Sequence, residues 1–283
     1  MVLVRAEGDD SRNLFVAKSE NVRALYSILK AIQFRERATI CATEKGLKVT
    51  VEDTKCVQVN AFLQSDLFSR YQLNEENVNF CISLPVLCEC LNIFGSHSNS
   101  TLSTVKMSYA DHGSPLKLVL EENQVVTDCS IRTLQPDDIM DFEFSLSSVA
   151  AKIIIKADPI RETFCDLDQT SECMEISVDQ DKGIRFSTRG THSTSETTIQ
   201  KESDLIELFD CRNSRISHKY RVSLLKPSAK ALTLATKVSM RIDERGFFSM
   251  QYMVEQDGQI VFIEFFCSPQ EDDVMESQSQ STF

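Results

Sequence analysis

The chain has 283 residues, with 30 Lys and Arg against 42 Asp and Glu, for a formal net charge of −12 at pH 7. Apolar residues make up 42% and charged residues 25%, a globular composition that excludes gross disorder in a length with room for two domains. No apolar run approaches the ~18 residues of a membrane span, no signal-peptide core stands at the N-terminus, and the acidic balance taken alone argues against nucleic acid as partner.

The first periodic stretch, "ENVRALYSILKAI" (20–32), places Val22, Leu25, Tyr26, Leu29 and Ile32 on one stripe and predicts a helix, with Arg23 and Lys30 off the stripe. "EKGLKVTVEDT" (44–54) is a glycine turn followed by apolar and polar residues in alternation, a hairpin with one covered face. "SLPVLCECL" (83–91) reads as a strand end, a proline and a short helix that carries Glu89 and no base. Further strands follow in "LKLVLEENQVVTDCSI" (116–131), and "RTLQPDD" (132–138) is a connector. In "DFEF" (141–144) alternation predicts an amphipathic strand, with Asp141 and Glu143 out and Phe142 and Phe144 in.

The second half repeats this order. "SSVAAKIIIKA" (147–157) places Val149, Ala150, Ile153 and Ile154 on one stripe, behind Ser147 and Ser148 as N-caps, and predicts a helix whose edge carries Lys152 and Lys156. "DKGIRFSTRGT" (181–191) aligns without a gap on the first hairpin, setting Gly183 on Gly46, 137 positions away. "THSTSETTIQKESDLIELFDCRNSRISHKY" (191–220) is irregular. "SLLKPSAKAL" (223–232) echoes the proline-led helix, with Pro227 in its first turn and Lys226, Lys230 and Lys237 sharing a face with Thr233. The last strands, "GFFSMQYMVEQDGQIVFIEFF" (246–266), end in a segment apolar on both faces. Such a strand is either buried twice or buried once and presented to a partner.

Three of four helices thus present a basic edge on an acidic chain. Two readings stand: ordinary solvated faces, or a segregated surface for sequence-blind phosphate contact. No exposed aromatics interleave the bases, so base stacking is not indicated. Ten cysteines without a signal peptide read as reduced thiols, and the Cys88-x-Cys90 pair lacks the further ligands of a zinc site. Phosphate-binding glycine loops are absent, and His97, His112, His192 and His218 are scattered. Asp166 and Asp168 resemble the start of a calcium loop, but Ser171 and Ser177 stand where its glycine and closing glutamate belong. No metal, cofactor or catalytic residue is indicated, and a two-metal nuclease centre would need more converging acids.

"ILKAIQFRERATICATEKGLKVTVEDTKCVQVNAF" (28–62), "SLLKPSAKALTLATKVSMRID" (223–243) and "DGQIVFIEFFCSP" (257–269) resemble the DNA sliding clamps, and among them the Rad-family checkpoint clamp, the nine-one-one complex. The resemblance covers the chain apart from residues 1–13 and the tail. It implies an α+β, PCNA-like clamp fold of two tandem similar domains, helices lining the inside and antiparallel sheets outside. The expected limits are 14–130 and 142–268 for the domains, 131–141 for the connector and 269–283 for an acidic disordered tail.

It further implies a heterotrimeric ring with two other clamp subunits around double-stranded DNA, loaded by a replication-factor-C-like loader. Such a ring would serve as a nuclear platform for checkpoint and repair proteins, without membrane contact. The DNA-facing bases would be Arg23, Lys30, Lys152, Lys156, Lys226, Lys230 and Lys237. The subunit edges would be Leu116, Lys117, Leu118, Val119, Leu120 and Glu121 on one side, and Thr194, Ser195, Glu196, Thr197, Thr198 and Ile199 on the other. The strand 260–267 would lie under the helices on one face. Its other face would turn to the connector, where clamps form a shallow apolar peptide pocket, or be purely structural. Alternatives are a homotrimeric replication clamp and a 3′→5′ exonuclease, a description that has been applied to members of the family. The Ser277-Gln278 and Ser279-Gln280 pairs match a dipeptide that checkpoint kinases favour.

Overall fold

The computed structural model describes residues 10–94, 103–136, 138–142, 144, 146–165, 170–256 and 258–270. His97, Glu143, Asp166, Asp168, the two Ser-Gln pairs and the tail beyond 270 lie outside the described residues.

The first half runs β1 (Phe15–Ser19), α1 (Val22–Ile32), β2 (Arg37–Thr43), β3 (Gly46–Asp53), β4 (Val57–Gln64), β5 (Arg70–Leu73), β6 (Asn77–Ser83), α2 (Leu84–Leu91), β7 (Ser103–Tyr109), β8 (Leu116–Glu122) and β9 (Val125–Ile131). The second repeats that order as β10 (Val149–Lys156), α3 (Ala157–Cys165), β11 (Cys173–Asp179), β12 (Gly183–Arg189), β13 (Thr194–Gln200), β14 (Ile206–Cys211), β15 (Arg215–Arg221), α4 (Val222–Leu232), β16 (Ala235–Asp243), β17 (Phe248–Gln256) and β18 (Gln259–Cys267).

Three antiparallel sheets result, ordered β5-β1-β7-β8-β9, β13-β12-β11-β15 and β14-β10-β16-β17-β18-β4-β3-β2-β6. The third crosses the halves where β18 pairs with β4, from Phe262 opposite Phe62 to Cys267 opposite Val57. Val49, Val51, Val59, Ile153, Ile155, Val238, Met250, Ile263 and Phe265 face the helices and are buried. Helices on one side of antiparallel sheets, twice over, make the two-domain clamp architecture that the resemblance implied.

Gly46 and Gly183 open the second strand of matching hairpins, with φ of +133° and +113°. A Cβ there would stand 2.1 Å from the Leu63 carbonyl oxygen and 2.2 Å from that of Ile199. The same backbone crossing thus demands glycine twice. α1 has the apolar stripe its sequence predicts, with Val22, Leu25, Ile28, Leu29 and Ile32 buried, and Asn21 caps it, Oδ1 accepting from the Ala24 N–H at 2.9 Å.

Residues 147–157 are not a helix. Val149–Lys156 form the strand β10, with Ala151, Ile153 and Ile155 inward, and the helix of that unit is α3, which begins at Ala157. Three consecutive isoleucines satisfy a 3.6-residue stripe and a two-residue alternation alike, and their β-branching favours the strand. α4 starts at Val222, so Pro227 lies inside it rather than in its first turn and withholds the N–H that would bond the Ser223 carbonyl. α4 ends at Leu232, and Lys237 is on β16. The stretch 191–220 is mostly the strands β13, β14 and β15, and the described residues of "DFEF" belong to no strand.

Candidate nucleic-acid and subunit interfaces

Among the described residues, four helices form a row, α2-α1-α4-α3, each packed on the next. α1 carries Arg23 and Lys30 and α4 carries Lys226 and Lys230, all exposed, and neither helix contains an acid. The flanking helices differ, since α2 carries Glu89 and α3 sets Asp158 and Glu162 around Arg161. The basic edge is therefore confined to the two central helices, and it crosses the junction of the halves.

Lys30 and Lys230 each occupy the last turn of their helix, where carbonyls present partial negative charge. Lys230 Nζ donates to the Gln33 carbonyl oxygen at 2.8 Å, and Lys30 Nζ donates to Gln33 Oε1 at 2.8 Å. Beside them opens a groove of about 350 Å³, lined further by Tyr26, Ser27, Ala31, Thr233 and Leu234. An ammonium has three donors, so each lysine keeps N–H groups for another acceptor. Four exposed cations on smooth helices suit phosphate oxygens.

Lys152, Lys156 and Lys237 are not on helices and do not face this groove. Their strands turn Ile153, Ile155 and Val238 toward the helices, so the alternate lysines point to the opposite face of the sheet. Lys237 Nζ is ion-paired there with Glu207 Oε1 at 2.7 Å.

The edges also differ from expectation on one side. β8, with Leu116, Lys117, Leu118, Val119, Leu120 and Glu121, lies between β7 and β9 and is not an edge. Asn123 and Gln124, both at positive φ (49° and 68°), turn the chain back so that β9 ends the sheet, exposing Val125 and Val126. β13, with Thr194, Ser195, Glu196, Thr197, Thr198 and Ile199, does end its sheet.

On β18, Val261, Ile263, Phe265 and Cys267 are buried on the helix side. On the other face Phe142 stacks on Phe266 with centroids 5.7 Å apart, and the Arg241 guanidinium lies 5.4 Å from the Phe144 ring centroid while bonding Glu264 at 2.8 Å. Gln58 Nε2 donates to the Met140 carbonyl at 2.9 Å, and the Met140 N–H donates to Glu52 Oε2 at 2.9 Å, strapping the connector down. The remaining hollow, about 250 Å³, is walled by Lys48, Gln58, Asn60, Arg241 and Glu264 as well as aromatic rings. It is a mixed polar site, not an apolar pocket, because Phe142 and Phe144, just past the connector, cover the apolar part.

All ten cysteines are free thiols. Burial pushes Cys88 up to about 11, and Cys90 goes up to about 11 through burial and its hydrogen bond with Cys129. Neither is an available thiolate at neutral pH. Among the described residues no three His, Cys, Asp or Glu converge as metal ligands.

A family model described as "Repair protein Rad1/Rec1/Rad17" matches residues 14–254. The chain is 48% identical over 276 residues to the Homo sapiens "Cell cycle checkpoint protein RAD1", covering 96% of this chain and 97% of that protein. It is 48% identical over 260 residues to the Mus musculus protein of the same name, covering 91% and 92%. A remoter relative, "DNA repair exonuclease REC1" of Mycosarcoma maydis, is 24% identical over 231 residues, covering 63% of this chain and 50% of its own length.

Proposed function

This chain belongs to the Rad1/Rec1/Rad17 family of repair proteins, and from that premise we propose that it is a non-enzymatic subunit of a ring-shaped checkpoint clamp around double-stranded DNA. The observation that carries the reading is the repeat. The seam between the halves is a β18·β4 pairing, and the counterparts of those strands, β9 and β13, are left at sheet ends. A chain with one joint made and the same joint open at both ends is a segment of a closed ring.

In that ring the domains span 14–130 and 142–268, and the helix row faces the hole. Arg23, Lys30, Lys226 and Lys230 meet phosphates, so retention comes from encirclement with weak, mobile contacts. Two different clamp subunits complete the ring in the nucleus, a replication-factor-C-like loader places it, and checkpoint and repair proteins use its outer face. The checkpoint names belong to the more similar relatives and the exonuclease name to a distant one. The deciding experiment is co-expression with candidate clamp subunits and measurement of the mass of the complex. A 1:1:1 complex retained on circular DNA and released on linearisation is the expected result. A complex that leaves circular and linear DNA equally fast would sink the reading.

A further inference from the structure

The open edges acquire a register from the chain's own seam, where β18 and β4 pair Phe262 with Phe62, Ile263 with Ala61, Glu264 with Asn60, Phe265 with Val59 and Phe266 with Gln58. The two halves can be put in correspondence strand by strand. The Leu14 and Ala150 carbonyls hold matching places, accepting the Asn74 and Arg212 N–H groups respectively. From there cross-strand partners run Ala17–Met107–Leu118–Cys129 in the first half and Ile153–Met240–Met250–Phe265 in the second. Cys129 therefore corresponds to Phe265, and Asp128 to Glu264. On the other strand, Gly46 opposite Gln64 and Gly183 opposite Gln200 set Asn60 in correspondence with Glu196.

Transferred to a ring made of copies of this chain, the seam register puts Val126 opposite Thr198, Thr127 opposite Thr197, Asp128 opposite Glu196, Cys129 opposite Ser195 and Ser130 opposite Thr194. Four of these pairs are neutral and compatible. The fifth faces two carboxylates across strands, where directly opposed side chains stand about 5 Å apart and like charges repel. The seam itself avoids the conflict by setting Glu264 against an amide, Asn60, with Arg241 bonded to Glu264 at 2.8 Å. Arg185 NH1 lies 3.5 Å from Glu196 Oε2, but the same guanidinium also reaches Glu175 at 3.9 Å, so its compensation is divided.

We infer that the opposition of Asp128 and Glu196 disfavours closure of a ring by this chain on itself. Each edge instead takes a different chain, whose own edge strand sets a neutral or basic residue at that register position. The inference rests on the clamp reading and deepens it, since a repulsive contact excludes the wrong partner as effectively as an attractive one selects the right one.

A charge cycle tests it on the purified full chain by sedimentation velocity over a concentration series. Wild type is expected to stay monomeric. Asp128→Lys and Glu196→Lys, each of which turns the opposed pair into opposite charges, should self-associate about tenfold more tightly. The double variant restores like charges and should return to monomer. Asp128→Asn and Glu196→Gln, which only remove charge, should move the same way by a smaller step and guard against misfolding of the lysine variants. Single variants as monomeric as wild type, a double variant that associates like the singles, or a wild type that assembles as well as they do would each overturn the inference. The clamp reading is judged apart, by co-purification with other clamp subunits. A chain that joins them while Asp128→Lys stays monomeric loses this inference and keeps the clamp.

Discussion

Lys230 reaches across the junction of the two halves to donate a hydrogen bond from Nζ to the carbonyl oxygen of Gln33, 197 positions away, at 2.8 Å. With Lys30 on the side chain of the same glutamine, the most basic part of the helix row lies where the halves meet.

The first prediction follows from that placement. Reversing Lys226 and Lys230 to glutamate should leave folding and assembly intact, lower retention of the loaded complex on circular DNA severalfold and flatten its salt dependence. The matched reversal of Lys152 and Lys156, on the far face of the sheet, should change neither. Equal losses from the two pairs, in a retention assay across a salt series, would return the basic helices to ordinary solvated faces.

Nuclease assays supply a second. Purified chain incubated with labelled single- and double-stranded DNA and magnesium or manganese should leave it intact, given that no acid cluster is found among the described residues. Metal-dependent degradation that co-purifies with the chain and is lost in Asp141→Ala would reverse the assignment.

The buried carboxylate of Asp243 is a third test. It is fully buried, with Oδ1 accepting from the Arg245 and Phe247 N–H groups at 3.0 and 2.8 Å and Oδ2 accepting from Arg245 Nε at 2.9 Å. Asp243→Ala strands two turn N–H groups and should cost about 2–4 kcal/mol, seen as a lowered urea midpoint. A change under about 0.5 kcal/mol would show that the turn holds without its carboxylate.

In the opposite direction, the β3–β4 turn places Thr54 and Lys55 at φ of 50° and 56°, a region where a β-branched residue is strained. Replacing them by Asn and Gly should stabilise the protein by about 0.5–1 kcal/mol, read as a raised thermal midpoint. A lowered midpoint would mean that the Thr54 side chain contributes more than its backbone costs.

Thiol labelling gives a last check. Because burial holds Cys88 and Cys90 near 11, their thiolate fraction at pH 7.5 is small, whereas Cys165 is exposed. Iodoacetamide should modify Cys165 first, and mass spectrometry that finds Cys88 or Cys90 ahead of it would contradict the packing of α2.

Much of the architecture was legible in the residues. The paired glycines could be recognised because one backbone crossing requires the same residue twice, and α1 because of its apolar stripe. What failed were places where one composition satisfies two geometries. Ile153–Ile155 fits either period, and only the pairing with β14 and β16 decides for a strand. The edge was placed on Leu116–Glu121 by analogy with clamp rings, and it is Val125–Ile131 that ends the sheet. An edge strand is defined by the neighbour it lacks, which no local pattern encodes. Of the seven bases, the four on α1 and α4 kept a helical setting, while Lys152, Lys156 and Lys237 followed their elements to the other face. The Asp128–Glu196 opposition was invisible beforehand, since it needs the register of a seam 136 positions away.

The nine-stranded sheet also has a mechanical meaning. Because β18 and β4 pair along Phe262–Cys267 and Val57–Phe62, with Gln58 of β4 bonded to the Met140 carbonyl, the two halves share one continuous sheet. A force that opens the proposed ring meets that pairing, and the connector bonded to it, in the middle of each chain. The joints at β9 and β13, which end their sheets, lie between chains, so a ring that parts there during loading leaves each chain's lysine pair at Gln33 undisturbed.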